Sequence, residues 1–290
     1  MKNLCRICIM LFTASLTTPA WTANPQPPAD PTDSRSGIPF KLYAGYLVVV
    51  EGRIGGLGKL RFVLDTGVTH SVIDRKLAAG TSVERRSGKV LNFDKIVPVE
   101  WIEVSEVQFG PIDVAHFSMM VSDLRHFQSF ATNIDAVIGL DLLRLSSFSI
   151  DYDARTIFFG PVNTASGVPM ISDPVCLSVQ LVVGDGRLRL VVDTGAPALV
   201  LYEDRVLDRI GQLRIASEID GSSIGGYVHA KRATLPRARL GTTDLGRTVF
   251  LVKAPPTNVL PGIDGYLGTD TLKARRIDFN FETNTLAWTR

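Results

Sequence analysis

Asp65 and Asp193 each end an apolar run and each is followed by Thr-Gly. Residues 60–74 read LRFVLDTGVTHSVID and residues 188–202 read LRLVVDTGAPALVLY. The two aspartates stand 193 − 65 = 128 positions apart. A carboxylate at the end of a buried strand is costly unless something compensates it. Two of them at matching places in two segments suggest that each is there for the other. Gly67 and Gly195 would allow a tight turn and a close backbone approach, and the hydroxyls of Thr66 and Thr194 could tie that turn down.

If two copies of one unit pack about a pseudo-twofold axis, Asp65 and Asp193 meet on it. Two carboxyl groups about 3 Å apart cannot both ionise, so they share a proton and titrate as a pair. Such a pair can hold a water. The ionised member takes a proton from the water as it attacks a carbonyl carbon, and the protonated member donates to the carbonyl oxygen. This chemistry needs no metal, organic cofactor or nucleophilic side chain.

The elements that must position the pair are also written twice. Residues 133–143 read NIDAVIGLDLL and residues 262–272 read GIDGYLGTDTL, so Ile138-Gly139 and Leu267-Gly268 correspond. Asp65 lies 74 positions before Gly139, and Asp193 lies 75 before Gly268. The tails match as well, FSIDYDARTIFFG at 148–160 against RIDFNFETNTLAWT at 276–289. The chain is a tandem duplication of a unit of roughly 115 residues. Short alternating or β-branched runs predict strands at 46–50, 60–64, 99–107, 156–159, 177–183, 188–192, 233–240, 248–252 and 285–288. Short helices are expected at 74–79, 141–145, 203–210 and 270–274, with Asp141 and Asp270 as N-caps. The resulting division is a first unit at 40–160, a linker at 161–175 rich in turn formers, and a second unit at 176–290.

Two Asp-Thr-Gly segments, each answered by an aliphatic-Gly motif, resemble the aspartic proteases, and the likeness covers about residues 40–290. The compact units resemble the retropepsin-like branch, as a fused single-chain form. The resemblance implies a mainly β fold of two closed-barrel-like lobes with a few short helices, related by a pseudo-twofold axis. It implies an aspartic endopeptidase with Asp65 and Asp193 catalytic, Thr66 and Thr194 cross-bonded beneath them, and the Ile138-Gly139 and Leu267-Gly268 strands behind the turns. One chain would then suffice for the site, and the partner would be a peptide or protein substrate. The rival reading on the same fold is a catalytically silent peptide-binding module. Flap candidates are Ser87 and Gly88 within residues 86–89, and Gly225, Gly226 and Tyr227 within GSSIGGY at 221–227. The chain departs from the pepsin-like pattern at Val68 and Ala196, where a hydroxyl residue is usual after the glycine. Pro197 departs again, because it offers no amide donor to substrate.

Other chemistries find less support. Residues 221–225 satisfy Gly-x-Ser-x-Gly, but no helical pattern follows and the only later histidine is His229, so a serine-nucleophile elbow is not expected. His70, His116, His126 and His229 are scattered without metal-ligand spacing, and no metal site is expected. A net charge of +2 gives no argument for a nucleic-acid partner. Lys2 and Arg6 before the apolar stretch 7–16, with Thr18-Pro19-Ala20 after it, read as a signal peptide over 1–20. A flexible Pro-rich arm would follow over 21–39. The expected location is outside the cytoplasm, periplasmic or secreted, with no stable membrane insertion once the signal is removed. Cys5 and Cys8 would leave with it, and Cys176 would have no partner for a disulfide.

Overall fold

The computed structural model describes residues 37–80, 84–92, 95–125, 127, 132–223, 226–255 and 260–290. The expected signal segment, the arm up to residue 36 and Gly225 lie outside them. The described chain is mainly β, arranged as one sheet for each repeat and a third sheet built by both.

Each repeat turns its chemistry-bearing motif on the same device. The strand Leu57–Leu64 runs into Asp65, the chain loops, and Val72–Asp74 returns. Between them passes Ala136–Ile138, parallel to the first and antiparallel to the second. In the second repeat, Gly265–Gly268 passes in the same way between Gly186–Asp193 and Leu199–Tyr202. These middle strands are covered on both faces, which is why they read as unbroken apolar runs instead of alternating ones. Phe62, Leu64 and Ile138 face a large core shared by both repeats, while Val63, Val72 and Val137 face a smaller cluster of the first repeat. Leu190, Val192 and Leu267 join the shared core, and Val191, Val200 and Tyr266 a cluster of the second repeat. Burying each such side chain contributes about 1.5–3 kcal/mol. That is enough for two or three neighbours to hold a carboxyl group in an apolar setting.

In the first repeat the sheet closes on itself, because the long strand Lys95–Phe109 pairs with Ile112–Ser122 and also with Leu47–Ile54. The second repeat closes less continuously. A single strand over 233–240 was expected there, and Pro236 divides it into Gly226–Thr234 and Ala238–Leu240. Proline lacks the amide that would continue the ladder.

The third sheet joins the repeats about the pseudo-twofold axis. Phe148–Asp151 pairs antiparallel with Arg276–Asn280, Ile150 opposite Ile277, and Phe148 stacks on Phe279 at 4.6 Å between ring centroids. Ile38–Pro39 pairs with Thr156–Phe159 on one side, and Val168–Pro169 with Thr285–Thr289 on the other. The segment 161–175 thus carries two short strands, Val168–Pro169 and Ile171–Ser172, that correspond to Ile38–Pro39 and Lys41–Tyr43 at the entry to the first repeat.

Helices form at Arg75–Ala79, Leu140–Leu143 and Glu203–Ile210, with a 3-10 turn at Thr269–Leu272. Asp141 and Asp270 are not their N-caps: Gly139 and Gly268 hold those positions, and each aspartate lies in the first turn. Asp74 does cap its helix, accepting from the Lys76 amide at 2.9 Å. Among the described residues no helix is long and apolar enough to cross a membrane.

Candidate active site

The two Asp-Thr-Gly turns interlock through their threonines. Thr66 N donates to Thr194 Oγ1 at 3.0 Å, and Thr194 N donates to Thr66 Oγ1 at 3.1 Å. Each hydroxyl then donates onward across the axis, Thr66 Oγ1 to Val192 O at 2.8 Å and Thr194 Oγ1 to Leu64 O at 2.9 Å. Both threonines are buried, so these four bonds satisfy groups that water does not reach. Serving as donor and acceptor at once needs a hydroxyl, which a valine of the same shape lacks.

The carboxyl groups sit on this lattice, both fully buried. Asp65 Oδ1 accepts from Gly67 N and Asp193 Oδ1 accepts from Gly195 N, each at 2.8 Å. The two Oδ2 atoms are buried, and no N–H or O–H group outside the pair donates to them. Gly67 lies directly against the opposite carboxyl: a Cβ there would stand 2.5 Å from Asp193 Cγ. Burial pushes the Asp65 carboxyl up to about 6, against hydrogen bonds from Gly67 and Asp193 that favour the ionised form. Asp193 is held well above the usual carboxylate range, first by burial and then by the charge of Asp65. Burial thus raises both carboxyls, and each feels the other.

The aliphatic-Gly motifs lie close behind. Asp65 N donates to Ile138 O at 3.0 Å, and Asp193 pairs with Gly268 in parallel register. A Cβ on Gly139 would come within 2.7 Å of Val68 O, and one on Gly268 within 2.5 Å of Ala196 O. Only glycine lets the loop after each aspartate approach so closely.

Several supporting residues escaped the sequence reading. Asp135 Oδ2 accepts from Arg61 N, and Asp264 Oδ2 from Arg189 N, each at 2.8 Å, bracing the strand that leads to each Asp-Thr-Gly. Their signal was present, since the intervals of 74 and 75 repeat those between each aspartate and its partner glycine. Ser71 has no counterpart device in the second repeat, where Leu199 stands. Its Oγ accepts from Gly139 N at 3.0 Å and donates to Asp141 Oδ1 at 2.6 Å, while its amide donates to Asp141 Oδ2 at 2.7 Å. Burial pushes Asp141 up to about 6 despite those bonds. His70 Nδ1 stands 3.9 Å from Asp141 Oδ2, and the ring meets Trp101 edge-on at 5.1 Å. Burial, reinforced by the Arg144 charge, brings His70 down to about 4, so it is neutral at ordinary pH.

The flap candidates fall in two hairpins. Ser87 and Gly88 lie within the strand Arg85–Asn92, opposite Glu100 and Val99, and not at its turn. Gly226 and Tyr227 begin the strand Gly226–Thr234, opposite Ser223 and Ser222. Residues 221–223 of the Gly-x-Ser-x-Gly stretch therefore end a strand, and the next described residues, Gly226–Thr234, form a strand paired with it where a nucleophile elbow requires a helix. Among the described residues, no group of three or more His, Cys, Asp or Glu side chains is gathered as metal ligands.

No curated protein matches the sequence. The family model described as aspartyl protease matches it twice, at residues 50–142 and 179–271, one match over each Asp-Thr-Gly turn with its aliphatic-Gly partner. The chain belongs to the aspartyl protease family, as a tandem two-lobe member.

Proposed function

We propose that the protein is an aspartic endopeptidase in which Asp65 and Asp193 act as one acid–base unit. The observation that carries this reading is the pair of buried Oδ2 atoms without a donor outside the pair, set on a reciprocal threonine lattice. Gly67 and Gly195 hold the Oδ1 atoms, which leaves the Oδ2 side for the shared proton and a water. The ionised carboxylate takes one proton from the water as its oxygen bonds to the peptide carbonyl carbon. The protonated partner gives its proton to the carbonyl oxygen, forming a tetrahedral diol without a covalent enzyme link. On collapse the amide nitrogen takes the proton that the pair received from the water, one diol hydroxyl returns its proton to the pair, and the C–N bond breaks, leaving the pair with one proton as at the start. Each proton transfer of this kind contributes about 10²–10⁴-fold in rate. On the character of residues 1–20 we place the enzyme outside the cytoplasm, acting on peptides or proteins there.

The test is digestion of a proteome-derived peptide library between pH 3 and 8 by the wild type, Asp65→Asn and Asp193→Asn. Cleavage by the wild type and a loss of at least ~10³-fold in both variants, with unchanged circular dichroism, is the expected result. Activity surviving in either variant would refute the mechanism. A wild type that retains peptides but cuts none would make the chain a binding module.

A further inference from the structure

The hairpin of Arg214–Ser223 and Gly226–Thr234 has two unlike faces. Ile219, Val228 and Ala230 belong to the inner face, in the cluster of the second repeat that includes Ala196 and Tyr266. Ala196 follows Gly195 in the second Asp-Thr-Gly turn, so the hairpin and that turn share one packing unit. The outer face carries charge instead. Asp220 stands opposite His229 and Glu218 opposite Lys231, so these four lie together on one side of the strand pair.

Lys231 anchors one end of this face. Its Nζ donates to both carboxylate oxygens of Glu203, at 2.9 and 2.8 Å, which fastens the hairpin to the helix Glu203–Ile210. His229 holds the other end. Its Nδ1 lies 3.1 Å from Asp220 Oδ1, and its Nε2 lies 3.7 Å from Glu218 Oε2. Both ring nitrogens thus face a carboxylate. A neutral imidazole carries one N–H, so its other nitrogen would turn a lone pair toward a negative oxygen, whereas the imidazolium donates from both. The charged groups on the neighbouring elements are Glu203 and Asp204 of the helix, and Lys231 and Arg232 of the strand itself, with Arg232 on the opposite face. Thr248–Val252, paired on the strand's far side, carries no charge, and Lys253 follows it. The row Glu203, Lys231, Glu218, His229, Asp220 therefore alternates in sign only with the proton on His229. The first hairpin is fastened without one: Arg85 donates to Glu100 at 2.9 Å and to Ala78 O, in the helix Arg75–Ala79, at 3.3 Å. Residues 85–102 contain no histidine.

We propose that His229 is a proton-operated tie: protonated, it joins Glu218 to Asp220 and completes the charged row that fastens the second hairpin to its helix. The fastening is lost as pH rises and the ring gives up its proton, which an imidazole does between about pH 5 and 8. Alkaline pH then loosens one hairpin and leaves the other fastened. The tie is a property of the hairpin, and it holds whether or not the chain cleaves peptides.

The test is hydrogen exchange of the wild type, His229→Gln and His229→Lys at pH 5.5 and 8.0, read by mass spectrometry and corrected for the intrinsic effect of pH on exchange. His229 is exposed, so neither substitution disturbs the core. The first hairpin, residues 85–102, reports any change of stability common to the whole chain. Relative to it, the wild-type segment 214–234 should exchange about threefold more slowly at pH 5.5 than at pH 8.0, as expected of one or two exposed ion pairs. His229→Gln should exchange fast at both pH values. His229→Lys, a cation at both, should exchange slowly at both. A wild-type segment without the difference, the same difference in His229→Gln, or a His229→Lys protein that loosens at pH 8.0 as the wild type does would each overturn the tie.

Discussion

The two repeats are nearly identical beneath the carboxylates and unlike around them. Beneath, Thr66 and Thr194 exchange the same bonds within 0.1 Å of one another, and Asp135 and Asp264 brace the same strand position at 2.8 Å. Around them, Ser71 and Asp141 tie down the first loop, while the second has Leu199 and an Asp270 turned toward Lys273. Thr69 Oγ1 reaches across to Val175 O at 2.6 Å, and its counterpart Pro197 instead lines a cavity. The contrast separates two demands on a duplicated site. A shared proton requires both halves to present the same acid in the same setting, so the floor tolerates no divergence. A peptide has direction, so the walls on either side of it meet different groups and need not match.

The largest effect that would break the symmetric floor is on stability. Thr194→Val keeps the shape and removes an acceptor from Thr66 N and a donor to Leu64 O, at about 2–4 kcal/mol. Thr66→Val should cost the same within ~1 kcal/mol, by denaturant titration. Unequal costs would show that the lattice is not reciprocal.

The next effect is in the pH dependence. Asp65 and Asp141 rise to about 6, Asp193 rises too, and an unfolded aspartate titrates near 3.9. Between those values the folded protein holds more protons than the unfolded chain. The stability associated with Asp65 and Asp141 is therefore fully present below pH ~4 and lost as pH rises through ~6, and that associated with Asp193, held well above the usual carboxylate range, is likewise lost as pH rises. A two-unit shift corresponds to about 3 kcal/mol. His70 works in the opposite sense: its folded value of about 4 lies below the unfolded 6.5, so its contribution is lost as pH falls through that window. Asp193→Asn should consequently raise Tm by several degrees at pH 7 and by much less at pH 4.5. A variant that melts lower than wild type at pH 7 would contradict the burial argument.

Smaller effects sharpen the difference between the walls. Ser71→Ala should cost about 1–3 kcal/mol by leaving Gly139 N and Asp141 short of a partner. It should also shift the Asp141 titration upward, read by NMR. Thr69→Val removes one bond between the first repeat and the linker and should cost about 1 kcal/mol in the same denaturant titration. A Ser71→Ala protein as stable as wild type would show that the first loop needs no such tie.

Much of the floor was legible because its signals are local and repeated. LRFVLDTG and LRLVVDTG carry strand, acid and turn within eight residues, and their distance to Ile138-Gly139 and Leu267-Gly268 recurs. The walls were less legible. Asp141 looks like a helix cap from its own neighbours, and only the packing of Gly139 behind Val68 brings it to Ser71, 70 residues earlier. Trp101 reaches His70 through the pairing of two strands whose register no short pattern fixes. Strand 233–240 failed at Pro236, a breaker whose effect its apolar neighbours concealed.

The central claim is that Asp65 and Asp193 hold one proton between them. Its most direct measurement is the Oδ2–Oδ2 separation, with the proton located, in a neutron or atomic-resolution crystal structure near pH 5. The account predicts a separation of about 2.5–3.0 Å with a single proton on the pair. Oxygens more than about 6 Å apart, each hydrated and ionised on its own, would contradict it.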